Sequence, residues 1–409
     1  MRPLKIIYVF GLPVRIGGHY KSGLAMVKSL HAMGHHVIVL APDGVDEMVQ
    51  EFTQTGAEFY RLDKLKKWNR RLRLPTVAGT GRIIRLAKER SVDIIHGQDF
   101  AACGRAYMAA IASARGFVTT FAGGPFSHEP PPTQSDVVLF CQEQVQTFSK
   151  AYQTVEDNIH LIRARIDLDI YKPEEVHPTF VSKYGLPVSG QKIAIAMRLH
   201  PIKKQWLRTI IETAKAFCDN NRNTRIIIAG EGPLLNNLRA QAIKINRQCR
   251  NGPVIQFVGP IFSLQELNQF YNYADVVAGT GRGILEAMAC RKPVVILSEN
   301  CQGEMITPEN IEDIAYYNFS GRHFRYLSET AAPLASVLEK LLTDGDLRKR
   351  LGDYSYEYIR SNMDAQIGAK QLLEVYQKAV NQRASLFDYV IWYFRAVYYR
   401  IVRVITMLY

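Results

Sequence analysis

No stretch of about 18 uncharged apolar residues occurs in the 409-residue chain, so the sequence offers no clear transmembrane helix. The N-terminus, MRPLKIIYVFGLP, starts with a short basic segment, but its apolar run is only about seven residues and no small-x-small cleavage site follows. It reads as a first β-strand and not as a signal peptide. Cysteine is scarce: six residues, at Cys103, Cys141, Cys218, Cys249, Cys290 and Cys301, no two of them three apart. That excludes zinc and Cys-x-x-Cys redox motifs, and the six read as reduced cytosolic thiols, mostly packed in apolar segments. Acidic residues are the scarcer charge, 38 Asp and Glu against 51 Lys and Arg, a net charge of +13. An anionic partner follows: a membrane surface, a phosphorylated substrate or nucleic acid. With 47% hydrophobic and 22% charged residues, disordered, collagen-like and coiled-coil chains are excluded. The length favours two domains.

The first half alternates short apolar runs with helical patterns. Leu4–Phe10, His36–Ala41, Val92–His96, Phe117–Phe121 and Val137–Phe140 read as strands, and Gly18–Met33, Arg82–Arg90 and Ala101–Ala114 as helices. Lys172–Gln191 then gathers Pro173, Pro178, Gly185, Pro187 and Gly190, punctuation typical of a linker. The alternation restarts with strands at Ile193–Met197, Arg225–Ala229, Val254–Val258, Asp275–Ala278 and Val294–Leu297. Helices fall at Trp206–Cys218, Leu234–Asn246, Gly283–Cys290 and Ala331–Leu342. Strand–helix alternation implies parallel sheets covered on both faces. The expected architecture is α/β: two doubly wound Rossmann-like domains facing a cleft, with ligands at the carboxyl ends of the strands.

Three loops carry candidate anion sites. Gly17-Gly18 stands between the first strand and first helix, where glycine admits close backbone approach and helix-start amides attract anions; a tight turn would use the same residues. Gly279-Thr280-Gly281-Arg282-Gly283 follows a strand and opens a helix, and three glycines in five residues suit a loop wrapping a pyrophosphate. Glu286, on the first turn of that helix, can accept hydrogen bonds from ribose hydroxyls, or serve as a solvated carboxylate favourable to the helix dipole. Arg198 and Lys203 project from one loop at another strand end, a forked guanidinium and an ammonium suited to a diphosphate, although a surface charge cluster has the same composition.

Together these segments resemble glycosyltransferase family 4, the group 1 type with the GT-B fold, over about residues 1–380. Arg198-Leu199-His200-Pro201 with Lys203 is similar to the family's Gly-Arg-Leu-x-Pro-x-Lys segment, Met197 standing in place of Gly. Ala229-Gly230-Glu231-Gly232-Pro233 is similar to its Gly-Asp/Glu-Gly-Pro turn, and Phe257-Val258-Gly259 to the strand end beside the nucleotide base. Leu285 to Val294 matches the family's best-known segment nearly letter for letter, with Arg291 for Gly. In the first half, Gly17-Gly18, Asp93-Ile94-Ile95-His96, Ile166-Asp167 and Tyr171-Lys172-Pro173 resemble family segments.

The resemblance implies retaining sugar transfer from a nucleotide-sugar donor, with no cofactor and no metal in the site. It implies donor binding by Gly17, Gly18, Gly230, Glu231, Gly259, Gly279, Gly281, Arg282, Gly283, Ile284, Leu285 and Glu286, and catalysis by Arg198, Lys203 and His96. Catalysis is expected to be electrostatic, Arg198, Lys203 and loop amides stabilising the charge that gathers on the leaving diphosphate. His19 and His96 are candidates for donor or acceptor contact, or are structural. Asp167-x-Asp169 precedes the linker and Asp344-x-Asp346 lies in a late turn, so neither reads as a metal motif. Three positions depart from the family: Ala278 replaces the first glutamate of the Glu-x7-Glu motif, Ala122 replaces a histidine, and Ala164-Arg165 replaces Asn-Gly. Nucleotide and diphosphate contacts are thus retained while sugar contacts are altered, in a divergent enzyme or in a binding domain that has lost catalysis.

Two segments point to an anionic membrane surface. Arg61–Pro75 holds Arg61, Lys64, Lys66, Lys67, Arg70, Arg71 and Arg73 with Leu62, Leu65, Trp68 and Leu72 interleaved, a basic amphipathic pattern or a solvated face. Ser385–Tyr409 places Asp388, Arg395, Tyr399, Arg400, Arg403 and Thr406 on an arc of about 140°, the rest being apolar or aromatic, Trp392 included. An in-plane interfacial helix is expected there, the alternatives being a tail docked on the protein itself or an oligomer contact.

The expected organisation is an acceptor-side domain at 1–175, a linker at 176–191, a donor domain at 192–362, a returning helix at 363–384 and the tail at 385–409. The leading function is a glycosyltransferase using a UDP-sugar and a lipid-linked or oligosaccharide acceptor in cell-surface glycan synthesis. It would be cytoplasmic, peripheral to the inner face of the cell membrane, and would bind no nucleic acid. The alternatives are a non-catalytic nucleotide-sugar-binding subunit and a GT-B-fold sugar-nucleotide epimerase.

Overall fold

The computed structural model describes residues 2–12, 17–42, 44, 46–62, 78–122, 130–152, 156–163, 165–220, 223–325 and 332–406, apart from the side chains of 151, 152, 156, 400 and 402–406. The chain divides into two compact units, Met1–Arg165 with Ala365–Tyr409, and Ile166–Asp364.

The first unit opens with β1 (Lys5–Val9), α1 (Gly18–Ala32), β2 (His36–Pro42), α2 (Asp46–Gln54), β3 (Glu58–Leu62) and α3 (Thr80–Glu89). It continues with β4 (Ile94–Gly97), α4 (Phe100–Ser113), β5 (Gly116–Phe121), β6 (Asp136–Leu139), α5 (Gln142–Tyr152) and β7 (Ile159–Leu161). Its seven strands pair in the order β3-β2-β1-β4-β5-β6-β7. Every pairing is parallel, with Tyr8 aligned to Val39 on one side and His96 on the other. Strands covered on both faces must be apolar throughout, and β4, β5 and β6 are buried at every position.

The second unit runs α6 (Pro178–Lys183), β8 (Gln191–Ala196), α7 (Lys204–Asp219), β9 (Thr224–Ala229), α8 (Leu235–Asn246), β10 (Ile255–Gly259), α9 (Leu264–Tyr273) and β11 (Val276–Gly279). After it come α10 (Arg282–Ala289), β12 (Val294–Leu297), β13 (Gln302–Met305), α11 (Ile311–Tyr316), β14 (Ala332–Pro333), α12 (Leu334–Thr343) and α13 (Gly345–Asn362). The strand order is β10-β9-β8-β11-β12-β13-β14. The first five are parallel; β13 and β14 add antiparallel at the edge. In each sheet the order reverses beside the unit's first strand, the switch point where doubly wound sheets take ligands. The chain ends with α14 (Ala365–Val380) and α15 (Leu386–Thr406), both in the first unit.

Four expectations are corrected. The units divide at Arg165/Ile166 and not at 175. The expected linker 176–191 is packed into the second unit: it forms α6, the His177 amide donates to Gln269 Oε1 at 2.8 Å and the Tyr184 hydroxyl to Glu266 Oε2 at 2.9 Å. The six cysteines are not all reduced, because Cys218 and Cys249, 4.9 Å apart at Cα, form a disulfide that ties the end of α7 to the segment after α8. The amphipathic segment does not begin at Arg61, since Arg61 and Leu62 complete β3 and Leu62 is buried in the core. Residues 63–77 lie outside the described set, and with them Lys64, Lys66, Lys67, Trp68, Arg70, Arg71 and Arg73.

The tail carries the largest difference. Trp392, expected at a membrane, is only 1% exposed. Its indole N–H donates to the Pro130 carbonyl at 2.8 Å, and its ring meets Tyr107 edge-on at 5.7 Å. Tyr389 and Ala396 are buried with it in the core built on β1, β2, β4 and α4. The tail is therefore a structural helix of the first unit, because its aromatic side chains find apolar partners on α4. Arg395 is exposed, and the side chains of Arg400 and Arg403 lie outside the described set.

Candidate functional site

The carboxyl ends of β8, β9, β10 and β11 lie on one edge of the second sheet because the strands are parallel. The turn after β9 is laced to the loop after β8: Leu199 N–H donates to the Glu231 carbonyl at 2.8 Å and Leu234 N–H to the Leu199 carbonyl at 3.1 Å. A Cβ on Gly230 would stand 1.9 Å from the Met197 carbonyl oxygen, and one on Gly232 2.3 Å from that of Leu199. Only glycine permits this approach. It leaves Glu231 exposed beside exposed Arg198. Gly230 N–H donates to the Gly259 carbonyl at 2.8 Å, which brings the end of β10 into the same layer.

Lys203 reaches from this loop to the start of the glycine-rich turn, donating to Thr280 Oγ1 at 3.2 Å, with its ammonium 4.2 Å from the Trp206 ring centroid. Burial depresses the Lys203 pKa; Arg198 and Arg322 depress it further, while Glu299 opposes them. The edge thus gathers three cations, Arg198, Lys203 and Arg322, beside Glu299. An excess of positive charge on a partly desolvated lysine is an arrangement that a polyanionic ligand relieves. Arg322 and Glu299 were not among the residues expected from sequence, whereas Thr280 stands inside the expected glycine-rich loop. Glu299 follows a strand end and was open to the same reasoning as Arg198. Arg322 sits on a short turn, Arg322–Arg325, remote in sequence, and no local pattern marks it.

Gly279, Gly281 and Gly283 lie where the glycine-rich loop was expected, with Gly281 at φ 69° opening α10. The neighbours differ from expectation. Ile284 and Leu285 are wholly buried, so their side chains pack the core and do not line the site. Glu286 is also wholly buried, not exposed toward a ribose: Oε1 accepts from Arg282 Nε at 2.8 Å and Oε2 from the Tyr271 hydroxyl at 3.0 Å. Burial first, and then the Glu286 charge, hold the Tyr171 and Tyr271 hydroxyls well above their usual pKa. Arg282, expected as a donor ligand, is the buried counter-ion of this carboxylate, and Glu286 positions it. Ala278, where the family resemblance leads one to expect glutamate, is a buried methyl in the core of the second unit.

In the first unit Gly17 and Gly18 open α1 at the end of the β1 loop. Asp99 anchors that loop from below: Oδ2 accepts from Gly11 N–H at 2.9 Å while Oδ1 caps α4 through Ala102 N–H at 2.8 Å. His96 is corrected from a catalytic candidate to a structural one. It is fully buried, with Nδ1 2.6 Å from the Tyr376 hydroxyl and Nε2 2.8 Å from Thr120 Oγ1. Burial lowers its pKa to about 3, so the ring is neutral. Of the expected catalytic set, Arg198 and Lys203 come together and His96 belongs to another core.

Comparison with known proteins agrees with this architecture. The profile for Glycosyltransferase Family 4 matches residues 16–169, and that for Glycosyl transferases group 1 matches residues 181–358. The D-inositol 3-phosphate glycosyltransferase of Corynebacterium glutamicum is 27% identical over 253 residues, 58% of this chain and 56% of that protein. The chain spans about half the length of the curated relatives it matches. A glycosyltransferase from Rickettsia africae superposes with a TM-score of 0.69 at 17% identity, covering 93% of this chain and 100% of the other. Anabaena HepE, in complex with UDP and glucose, gives 0.66 at 17% identity, covering 91% and 99%. With two Rossmann-like α/β units and both halves matched by the family's profiles, the chain belongs to the group 1, family 4 glycosyltransferases of the GT-B fold.

Proposed function

We propose that the protein transfers a sugar, with retention, from a UDP-sugar to a lipid-linked or oligosaccharide acceptor in cell-surface glycan synthesis. The observation that carries the reading is the cation set Arg198, Lys203 and Arg322 beside the glycine-rich turn at the carboxyl edge of the second sheet. Leaving-group charge develops on the diphosphate as the anomeric bond breaks. Preorganised cations in a partly buried site stabilise that charge more than they stabilise the ground state. The leaving phosphate takes the acceptor's proton, so no protein base is required and His96 has no part in the chemistry. Gly230, Glu231 and Gly259 present backbone toward the nucleotide, and Gly279, Gly281 and Gly283 toward the diphosphate. Anabaena HepE, bound to UDP and glucose, supports the choice of donor.

The setting we propose is the cytoplasmic face of the cell membrane, where a lipid-linked acceptor resides. Among the described residues no helix is long and apolar enough to cross a membrane. Disulfides are rare in the cytosol, so the Cys218–Cys249 bridge is the observation that weighs against this placement. A second reading, a nucleotide-sugar-binding subunit without catalysis, is favoured by Ala278 alone, because a buried methyl cannot contact a donor sugar. Thermal-shift measurement across a panel of nucleotide sugars tests the common ground of both readings. Stabilisation by UDP-sugars above other nucleotides is expected, and no stabilisation by any nucleotide sugar would sink both.

A further inference from the structure

Helix α15 has two apolar faces. The inner one, with Tyr389, Trp392 and Ala396, is core. The outer one carries Leu386, Phe387, Val390, Phe394, Tyr398 and Ile401, six of the ten large hydrophobic side chains that are exposed among the described residues. Phe387 is 72% exposed, Phe394 68% and Tyr398 64%. At 100° per residue the six fall within an arc of about 120°, and from first to last they run about 22 Å along the axis. No charged residue of the helix falls inside that arc.

Exposure of this kind, concentrated on one helix and continuous, marks a surface that is covered in use. Its margin indicates by what. Asp388, the acid in the first turn of α15, is turned back to cap that turn, accepting from Ser385 N–H at 2.8 Å and Ser385 Oγ at 2.6 Å. Arg383 and Arg395 flank the stripe, both exposed, and the chain carries a net charge of +13. A second copy of the chain pairing through this stripe would bring arginine margins of like sign together. An anionic lipid surface answers them directly. The apolar arc also includes phenylalanine and tyrosine, side chains suited to the headgroup boundary.

We propose that the outer face of α15 lies in the headgroup boundary of an anionic bilayer, its axis parallel to the membrane plane, while its inner face remains core. This makes α15 a two-sided element that couples the first unit rigidly to the lipid. It rests on the functional reading above only for the presence of a membrane-borne acceptor.

The test uses the full chain and vesicles of phosphatidylcholine with or without phosphatidylglycerol. Wild-type protein is expected to co-sediment with the anionic vesicles, and the triple variant Phe387→Ser, Phe394→Ser, Ile401→Ser to partition on the order of a hundredfold less, with its thermal midpoint retained. An environment-sensitive fluorophore on Phe394→Cys is expected to shift to the blue on anionic vesicles, which keeps the proposal testable should the triple variant fold poorly. Equal vesicle binding by the folded triple variant, or an unshifted fluorophore, overturns the proposal. So does a lipid-free wild-type dimer that the triple variant converts to monomer, since a second copy is then the occupant. A nucleotide-sugar thermal shift on the same preparations separates the two readings: its loss with vesicle binding intact strikes the transferase and leaves the membrane face standing.

Discussion

At the carboxyl edge of the first sheet His96 and Asp99 are sealed. His96 is enclosed by Tyr376 and Thr120, and Asp99 is spent on Gly11 and on the cap of α4. At the same edge of the second sheet Arg198 and Glu231 are exposed and Lys203 is half-buried. Two sheets of one strand order thus place polar side chains at equivalent strand ends and assign them opposite work. Where desolvation is complete and every polar atom is paired, the group holds the fold. Where it is partial and like charges crowd, the group awaits a ligand. The buried Arg282–Glu286 pair shows both conditions adjoining within one unit, as it lies next in sequence to the open glycine-rich turn.

Breaking the sealed side has the largest expected effect. Truncation before Ser385 removes Tyr389, Trp392 and Ala396 from the core, and loss of a buried tryptophan side chain alone costs about 3–5 kcal/mol. Urea titration should show the first unit losing its cooperative transition. An unchanged midpoint would return α15 to the status of a detachable tail. Glu286→Ala comes next: it leaves Arg282 buried without its counter-ion, at about 3–5 kcal/mol of stability. Glu286→Ala that matches wild type in urea, yet binds nucleotide weakly, would show instead that the carboxylate faces the ribose.

On the open side the sign reverses. Arg198→Ala should leave the thermal midpoint in place and lower turnover on the order of a hundredfold, with a smaller change in KM, because the interaction strengthens as charge develops. A change confined to KM would make Arg198 a binding residue only.

The smallest effect belongs to His96. Its pKa is about 3 in the folded protein against about 6.5 unfolded, so its contribution to stability is complete above pH about 6.5 and is lost as pH falls from there toward 3. His96→Phe should cost about 1–3 kcal/mol at neutral pH, by leaving the Tyr376 and Thr120 hydroxyls unpaired, and should flatten this part of the acid dependence. Stability profiles of equal slope for variant and wild type below pH 6 would contradict the sealed, neutral ring.

The strands were readable because parallel strands are buried on both faces and so appear as unbroken apolar runs; β12, Val-Val-Ile-Leu, is identical in range to its expectation. Edge elements were not. β3 reads Glu-Phe-Tyr-Arg-Leu and is half-buried, so it lacks the apolar signature of the interior strands. In the site, Arg198, Lys203 and the glycine-rich turn were legible, since each follows a strand end directly. Arg322 was not, because its place depends on the fold of the hairpin region around β13. The Cys218–Cys249 pair was equally silent, its partners 31 residues apart on different elements with no motif between them. Periodicity found the amphipathic character of α15 but could not tell which apolar face is core, since that depends on the surface of α4 beneath it.

The most direct test of the open donor edge is release of free nucleoside diphosphate from a UDP-sugar, measured with and without an oligosaccharide or lipid-linked acceptor. Release is expected to depend on acceptor in wild type and to be nearly abolished in Arg198→Ala. Tight UDP-sugar binding with no release under any acceptor, or release that Arg198→Ala leaves unchanged, would contradict it.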